Sequence, residues 1–168
     1  MANVDIIKGR SFGSIERVTE LHAVYYTREW GFGRYFETKV ATELAAFLER
    51  YDERADGLWI AIADGCIEGA IAIDGSRAAT EGAHLRWFVV SDELRGQGVG
   101  GRLMEAAMAF CRSSGYDCVY LWTFEGLDAG RHLYEKHGFT VVEEQRGSTW
   151  GREVLEQRME RRGGTGGA

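Results

Sequence analysis

The chain of 168 residues is 45% hydrophobic and 27% charged, which is ordinary for one globular domain. Its net charge of −6 argues against nucleic acid as a main partner, and no stretch reaches the ~18 consecutive apolar residues of a membrane span. The three cysteines, Cys66, Cys111 and Cys118, form no CxxC pair, and the N-terminus has no signal-peptide pattern. We therefore expect reduced thiols in a cytoplasmic protein, with a single domain over 1–162 and a disordered tail over 163–168.

The first half of the chain is predicted to combine two helices with an antiparallel set of strands. Apolar residues at helical spacing predict the helices, Gly31-Phe32-Gly33 separates them, and Asp64-Gly65 is typical of a tight hairpin turn. The predicted elements are a strand at 4–8, helices at 15–30 and 35–51, and strands at 58–63, 66–73 and 84–91. Because the last three strands follow one another closely, they predict an antiparallel meander.

The second half is predicted to alternate helices and strands. The predicted elements are helices at 98–114 and 128–137 and strands at 118–123, 140–145 and 154–159. A helix is the alternative for the last of these, and we favour a strand.

A glycine-rich stretch from Arg95 to Gly101 joins a predicted strand to a predicted helix. Side chains are nearly absent there, so the backbone N–H groups are reachable. The first amides of a helix lack intrahelical partners, and the helix dipole places partial positive charge on them. The stretch therefore predicts a site for an anion.

Two well-known anion motifs fit this stretch poorly. A P-loop requires Lys and then Ser or Thr after its glycines, and Gly101-Arg102-Leu103 does not supply them. A dinucleotide fingerprint is matched literally by Gly96, Gly98 and Gly101, with Glu125 at about the expected distance. The match is weak because the chain after Glu125 is too short for the remaining βαβ units of that fold.

A third motif fits better. The spacing Arg95-x-x-Gly98-x-Gly100 resembles the R/Q-x-x-G-x-G/A loop of the GNAT family of N-acetyltransferases. The segment 133–139, LYEKHGF, is similar to a second signature of that family at the usual distance. The resemblance runs in order from about Leu85 to the end of that segment. Within the family, the strings LRWF and LWT are similar to bacterial acetyltransferase domains found behind MarR-type repressors.

The resemblance implies an α+β fold, with a GNAT-like mixed and mostly antiparallel sheet flanked by helices. It also implies acetyl-CoA as cosubstrate, with backbone groups of Phe88, Val89 and Val90 facing the pantetheine arm. The residues whose amides would hold the pyrophosphate are Arg95, Gly96, Gln97, Gly98, Val99, Gly100 and Gly101. The Arg95 side chain either adds positive charge there or faces solvent.

Tyr134 matches the family's usual general acid, which returns a proton to the departing CoA thiolate. Two positions depart from the family pattern, because Leu127 stands where an asparagine is frequent and Trp122 where some members have a glutamate base. The candidates for the general base are therefore Glu81 and His84, acting directly or through water. No residue cluster has metal-ligand spacing, so we expect no metal.

The implied activity is acetyl transfer from acetyl-CoA to a primary amine, on a small molecule or a peptide, by direct attack. The alternatives are a dinucleotide-dependent oxidoreductase and a CoA-binding domain without catalysis. The N-terminal helices, expected to wall the acceptor site, bring carboxylates and aromatic rings together: Glu29, Glu37, Glu43, Tyr25, Tyr26, Trp30, Phe32, Tyr35 and Phe36. That mixture favours a small amine with an apolar or aromatic body. We expect no nucleic-acid or membrane partner, and a homodimer stays open.

Overall fold

The computed structural model describes residues 3–9, 11 and 13–163. The strands are β1 Val4–Lys8, β2 Gly57–Ala63, β3 Cys66–Asp74, β4 Ala83–Val90, β5 Cys118–Phe124, β6 Thr140–Gly147 and β7 Val154–Arg162. The helices are α1 Ser14–Trp30, α2 Arg34–Glu49, α3 Val99–Ser113 and α4 Asp128–Lys136, with a 3₁₀ turn at Asp92–Leu94.

All strands join one seven-stranded sheet in the order β1-β2-β3-β4-β5-β7-β6. Only β4 and β5 pair in parallel, and every other neighbouring pair is antiparallel. The predicted α+β fold with a mixed, mostly antiparallel sheet is therefore confirmed. The parallel, doubly wound sheet that a dinucleotide fingerprint requires is absent from the described residues.

The predicted elements agree with the observed ones to within about two residues, except that the last strand is three residues longer than predicted. Asp64 and Gly65 form the predicted hairpin turn with φ angles of 50° and 78°, as expected of a turn that matches the twist of its strands. The final segment is a strand, as favoured, and extends to Arg162 because all of it pairs with β5 or β6. Of the predicted tail 163–168, Gly163 is described and donates its N–H to the carbonyl of Asp117. Residues 164–168 lie outside the described part.

Two apolar cores lie on opposite faces of the sheet. The α3 side is built around Leu103, Met104 and Met108, which are fully buried against the sheet. The α1 and α2 side is built around Leu44 and Phe47, which are also buried. Burying a side chain of this size stabilises the fold by roughly 1.5–3 kcal/mol. Apolar packing therefore stabilises the sheet on both of its faces.

A β-bulge in β4 reorganises the side chains of that strand. Between the pairs Ala72–Arg86 and Ala70–Val89, one residue of β3 faces two of β4, and Trp87 has a φ of 49°. Leu85 packs in the α3-side core, whereas Trp87, two residues later, packs in the α1/α2-side core. In a regular strand these two side chains would share a face. Arg86 would lie on the α1/α2 side even in a regular strand, and the bulge is what sends Trp87 to that side as well.

The parallel strands β4 and β5 part soon after they meet. Their register contains only the pairs Ala83–Val119 and His84–Tyr120, although the strands are eight and seven residues long. Beyond His84, the edge of β4 that faces β5 has no strand partner. A V-shaped opening therefore forms in the middle of the sheet.

Candidate active site

The glycine loop lies at the end of β4 and opens α3. Gly96 and Gly98 have φ angles of 78° and 77°, a left-handed conformation that costs a side-chain-bearing residue roughly 1–2 kcal/mol. Gly98 caps the helix, and its carbonyl accepts from the N–H of Arg102 at 3.1 Å. The amides from Gly98 to Gly101 have no backbone acceptor among the described residues. These free N–H groups at a helix N-terminus are the feature on which the predicted anion site depends.

The Arg95 side chain is exposed and does not extend freely over these amides. Its Nε lies 3.1 Å from a carboxylate oxygen of Asp92, and its guanidinium lies 4.6 Å from the ring centre of Tyr25 on α1. Asp92 also binds Arg28 at 2.7 Å. Arg95 thus connects the loop to α1 through the Tyr25 ring.

The backbone of Phe88, Val89 and Val90 borders the V-shaped opening. Val89 and Val90 pair with Ala70 and Gly69 of β3 on one edge, which leaves the β5-facing edge open. A Cβ at Gly100 would lie 3.4 Å from both the Phe88 ring and Leu133. The glycine loop, the open strand edge and α4 therefore meet at one place.

Tyr134 reaches this meeting point from α4. Its ring lies 6.0 Å from Phe88 and 6.1 Å from Phe139, centre to centre. Burial raises the pKa of Tyr134 above its usual value, so the phenol keeps its proton at neutral pH. The side chain lines a cavity of about 410 Å³.

That cavity lies on the α1/α2 side of the sheet and continues into the V-shaped opening. Its aromatic lining includes Tyr26, Phe36, Trp122, Phe124 and Trp150. All of these rings except Trp122 form a connected group: Tyr26 lies 5.0 Å from Phe36 and 6.1 Å from Phe124, and Phe124 lies 5.6 Å from Trp150. One wall is therefore suited to an apolar or aromatic body.

Charged side chains on α2 and β4 form a compensated group at one side of this cavity. Glu43 binds Lys39 at 2.6 Å through one oxygen and Arg86 at 2.7 Å through the other. Arg86 also lies 3.9 Å from Asp74 and 4.1 Å from the Trp87 ring. Each charge here already has an opposite partner.

His22 lines the cavity from α1 and is only 5% exposed. Its Nδ1 lies 2.8 Å from the carbonyl of Val18. Because a carbonyl only accepts, Nδ1 carries the proton and Nε2 is left as an acceptor. Burial lowers the pKa of His22 to about 4, so the ring is neutral at physiological pH.

Glu156 on β7 lines the same cavity and is 2% exposed. One carboxylate oxygen accepts from the backbone N–H of Thr149 at 2.9 Å, and the other from the Gln145 side chain at 3.0 Å. Burial acts to raise the pKa of Glu156, but hydrogen bonds from these residues hold it below its usual value. A buried carboxylate therefore stays charged at the cavity wall.

Of the two predicted base candidates, His84 lines this cavity and Glu81 does not. His84 lines it and also lines a neighbouring cavity of about 400 Å³, whereas Glu81 lines only the neighbouring one. Glu81 is exposed and binds Arg77 at 3.2 Å. Burial, followed by the charge of Arg86, lowers the pKa of His84 to about 3, and its ring stacks on Tyr120 at 4.5 Å. His84 thus borders both the cavity that Tyr134 lines and the cavity that Glu81 lines.

The helices predicted to wall an acceptor site contribute only some of the expected residues. Tyr26, Phe36 and Glu43 line the cavity, whereas Glu29 and Glu37 are exposed on their helices. The remaining predicted rings pack elsewhere: Phe32 is in the core, Trp30 packs on Phe124, Tyr25 lies under Arg95, and Tyr35 is exposed.

Sequence reasoning missed His22, Lys39, Arg86 and Glu156 as cavity residues. His22 and Glu156 interrupt otherwise regular segments with a polar group on a buried face, which is the only local signal they carry. Lys39 and Arg86 are indistinguishable from solvated surface charges until α2 packs over β4. Their proximity depends on tertiary packing between distant segments.

No helix in the described ranges is both long and apolar enough to cross a membrane. Among those same residues, no group of three or more His, Cys, Asp or Glu side chains is placed to hold a metal ion.

The sequence is similar to known acetyltransferases. The model of the acetyltransferase (GNAT) family matches residues 15–139, most of the chain. Human N-acetyltransferase 8B is 25% identical over 138 residues, an alignment that covers 80% of this chain and 61% of that protein. This chain therefore spans about three fifths of the length of that relative.

Solved structures of low sequence identity share the fold. An acetyltransferase of the GNAT family from Staphylococcus aureus Mu50 has a TM-score of 0.75 at 18% identity, covering 95% of this chain and 99% of its own. A Salmonella typhimurium protein solved with its cofactor acetyl-CoA has a TM-score of 0.76 at 16% identity, covering 96% and 94%. These likenesses concern the fold.

Proposed function

Because the chain belongs to the acetyltransferase (GNAT) family, we propose that it transfers the acetyl group of acetyl-CoA to a primary amine by direct attack. The acceptor is an amine on a small molecule or a peptide. The observation that carries the proposal is that Phe88 of the open β4 edge and Tyr134 line one cavity, while Gly100 of the glycine loop lies against Phe88 and Leu133. The narrower resemblance to domains behind MarR-type repressors, and a cytoplasmic location, stay predictions.

The chain offers a fitting site for acetyl-CoA, which supplies an activated acetyl group as a thioester. The amides from Gly98 to Gly101 bind the pyrophosphate, since four N–H donors at a helix N-terminus suit an anion. The open edge of β4, at Phe88, Val89 and Val90, offers backbone groups to the amides of the pantetheine arm. The relative from Salmonella typhimurium, which holds acetyl-CoA, supports this assignment.

Tyr134 is the proposed general acid. As the acceptor nitrogen forms its bond to the acetyl carbon, the carbon–sulfur bond breaks and the phenol gives its proton to the sulfur. The raised pKa of Tyr134 keeps that proton available before the reaction.

The acceptor nitrogen must also lose a proton, and the proposed route runs past His84. Water in the cavity accepts the proton beside this neutral ring, and Glu81 in the neighbouring cavity stands at the outer end of the route. A carboxylate that is exposed and paired with Arg77 suits a final acceptor near solvent better than direct contact with the amine.

A screen of amines with detection of released thiol tests the proposal. We expect acetyl-CoA to bind saturably, NAD(P)H not to bind, and at least one primary amine to cause thiol release. Binding of acetyl-CoA without turnover of any amine would instead establish a CoA-binding domain, and NAD(P)H binding would revive the oxidoreductase alternative.

A further inference from the structure

The acceptor cavity contains one charge that the protein itself does not neutralise. Glu156 receives two hydrogen bonds from neutral donors, and no Lys, Arg or His in the described ranges lies within ion-pair distance of it. The cation that acts on it from the cavity is Lys39, whose amino group is bound to Glu43 at 2.6 Å. A buried, charged carboxylate without a cation is costly, and this one lines a cavity of about 410 Å³.

The fold holds this carboxylate in a defined position. A Cβ at Gly147 would lie only 2.7 Å from Oε1 of Glu156, so β6 presses closely against the carboxylate. Thr149 and Gln145 fix its two oxygens at opposite sides. A side chain restrained in this way is ready to bind a ligand without further loss of conformational freedom.

The surroundings of Glu156 suit an organic cation. Rings of Phe124 and Trp150, which lie 5.6 Å apart, line the cavity beside it. Aromatic faces attract ammonium and guanidinium groups, and a nearby carboxylate adds a charge-assisted hydrogen bond. Phe124 is also the residue that pairs with Glu156 across β5 and β7, so ring and carboxylate belong to the same end of the cavity.

The opposite end of the cavity disfavours positive charge. His84 lies there, paired with Tyr120 at the last pair between β4 and β5. Phe124 lies further along β5, beside Glu156. Burial and the charge of Arg86 keep the His84 ring neutral. The same conditions lower the pKa of an amine placed there, which favours the neutral form that attacks a thioester.

We propose, on the basis of the proposed acetyltransferase function, that Glu156 binds a second, non-reacting positive charge on the acceptor. The acceptor is then a primary amine that carries another ammonium or guanidinium group at the far end of an apolar chain or ring. A carboxylate stabilises the protonated form of an amine, so it suits the end of the acceptor that does not react. The aromatic wall between the two ends accommodates the apolar body.

The test compares diamines with monoamines of matched size. We expect kcat/KM for 1,5-diaminopentane to exceed that for pentylamine by at least about tenfold, as for one hydrogen bond to a charged group. We also expect kcat/KM for 1,4-bis(aminomethyl)benzene to exceed that for benzylamine by at least about tenfold. Equal values within both pairs would overturn the proposal without affecting the acetyltransferase function, and this comparison needs no variant.

The variant Glu156→Gln tests the residue itself, because it removes the charge and keeps the shape. We expect the ratio of kcat/KM for the diamine to that for the monoamine to fall to about 1. The fall should come from a higher KM for the diamine, and acetyl-CoA affinity should not change. Glu153→Gln, an exposed position three residues earlier on the same hairpin, is the matched control and should keep the preference. A preference that persists in folded Glu156→Gln would overturn the assignment.

A binding measurement separates this proposal from the function on which it rests. Calorimetry with CoA present should show 1,5-diaminopentane binding at least about tenfold more tightly than pentylamine to the wild-type chain and losing that advantage in Glu156→Gln. If no amine is acetylated, the proposed function fails, while this binding result still decides the cation site. Equal binding of the two amines would reject the site.

Discussion

The proposed cofactor side and the proposed acceptor side of the site are built in different ways. The cofactor side comes from one stretch of chain, in which β4, the glycine loop, α3 and α4 follow one another between Ala83 and Lys136. The acceptor side is assembled from side chains as distant in sequence as His22 on α1 and Glu156 on β7. The difference teaches that binding through backbone amides leaves a pattern in the sequence, whereas binding through packed side chains does not.

The two sides also differ in how they handle charge. The cofactor side presents backbone N–H groups, and its exposed Arg95 is bound to Asp92. The acceptor side carries buried ionisable groups whose protonation the fold controls, including a neutral His22 and a charged Glu156. Changes on the cofactor side should therefore affect acetyl-CoA binding or chemistry, and changes on the acceptor side should affect amine selection and pH dependence.

The largest effect is expected from Gly98→Glu on the cofactor side. The side chain has open space within the protein, but it brings a negative charge and a Cβ to the pyrophosphate amides. Acetyl-CoA affinity should fall by at least about 100-fold, because several charge-assisted hydrogen bonds of about 1.5–3 kcal/mol each are lost. Calorimetric titration measures the change.

Gly98→Gln separates charge from size and backbone strain, since both variants adopt the φ of 77°. It should bind acetyl-CoA more tightly than Gly98→Glu and more weakly than the wild type. Unchanged affinity in a folded Gly98→Glu protein would contradict the assignment of the loop.

The second largest effect is expected from Tyr134→Phe. Tyr134 lies where the two sides meet. The change removes only the hydroxyl, so acetyl-CoA affinity and amine KM should hold while kcat falls by roughly 100-fold. Single-turnover kinetics of thiol release measures the chemical step. If kcat stays at the wild-type level, the tyrosine only packs on Phe88 and water protonates the thiolate.

The contrast between the two sides explains how far the sequence could be interpreted. The spacing of Arg95, Gly98 and Gly100 predicted the anion site, and apolar periodicity predicted the strands and helices. Glu81 was proposed as a base from its position before β4, but its side chain turns to the neighbouring cavity and Arg77. Contacts within the β3–β4 loop set the orientation of the Glu81 side chain, and no local sequence pattern predicts them.

The bulge in β4 is a second example. Regular alternation would place Leu85 and Trp87 on one face, yet they lie in different cores. The residues opposite the bulge, including Ile71 of β3, carry no signal for it. The placement of Trp87 on the cavity side of the sheet therefore depends on a backbone irregularity that hydrophobic periodicity does not report.

A smaller effect is expected from Gly147→Ala on the acceptor side. The new methyl group would lie 2.7 Å from a Glu156 oxygen, so the carboxylate must shift from Thr149 and Gln145. We expect a loss of roughly 1–3 kcal/mol in unfolding free energy, typical of overpacking, and a weaker preference for diamines with unchanged acetyl-CoA affinity. Urea unfolding and the amine series measure the two changes.

Gly33→Ala is the matched control for that substitution, because a Cβ at Gly33 meets no atom within 4 Å. A Gly147→Ala protein with the stability and amine preference of this control would show that the carboxylate is not held by the close approach of β6.

The smallest effect is a pH dependence of stability set by His22. Its pKa is about 4 in the folded protein and about 6.5 in the unfolded chain. Between these values the unfolded chain binds the proton and the folded protein does not. The contribution of neutral His22 is therefore complete above about pH 6.5 and is lost as the pH falls towards 4, by about 2 kcal/mol at pH 5.

The variant His22→Gln tests this contribution. His84, with a folded pKa of about 3, acts in the same direction and remains in that variant. In His22→Gln the loss of unfolding free energy between pH 7 and pH 5 should be smaller by about 2 kcal/mol, as measured by urea unfolding at each pH. His132→Gln, at an exposed position on α4, should show the wild-type profile. Parallel profiles for His22→Gln and the wild type would mean that His22 is solvated in the cavity rather than buried against Val18, and the acceptor side would then not control protonation as its packing indicates.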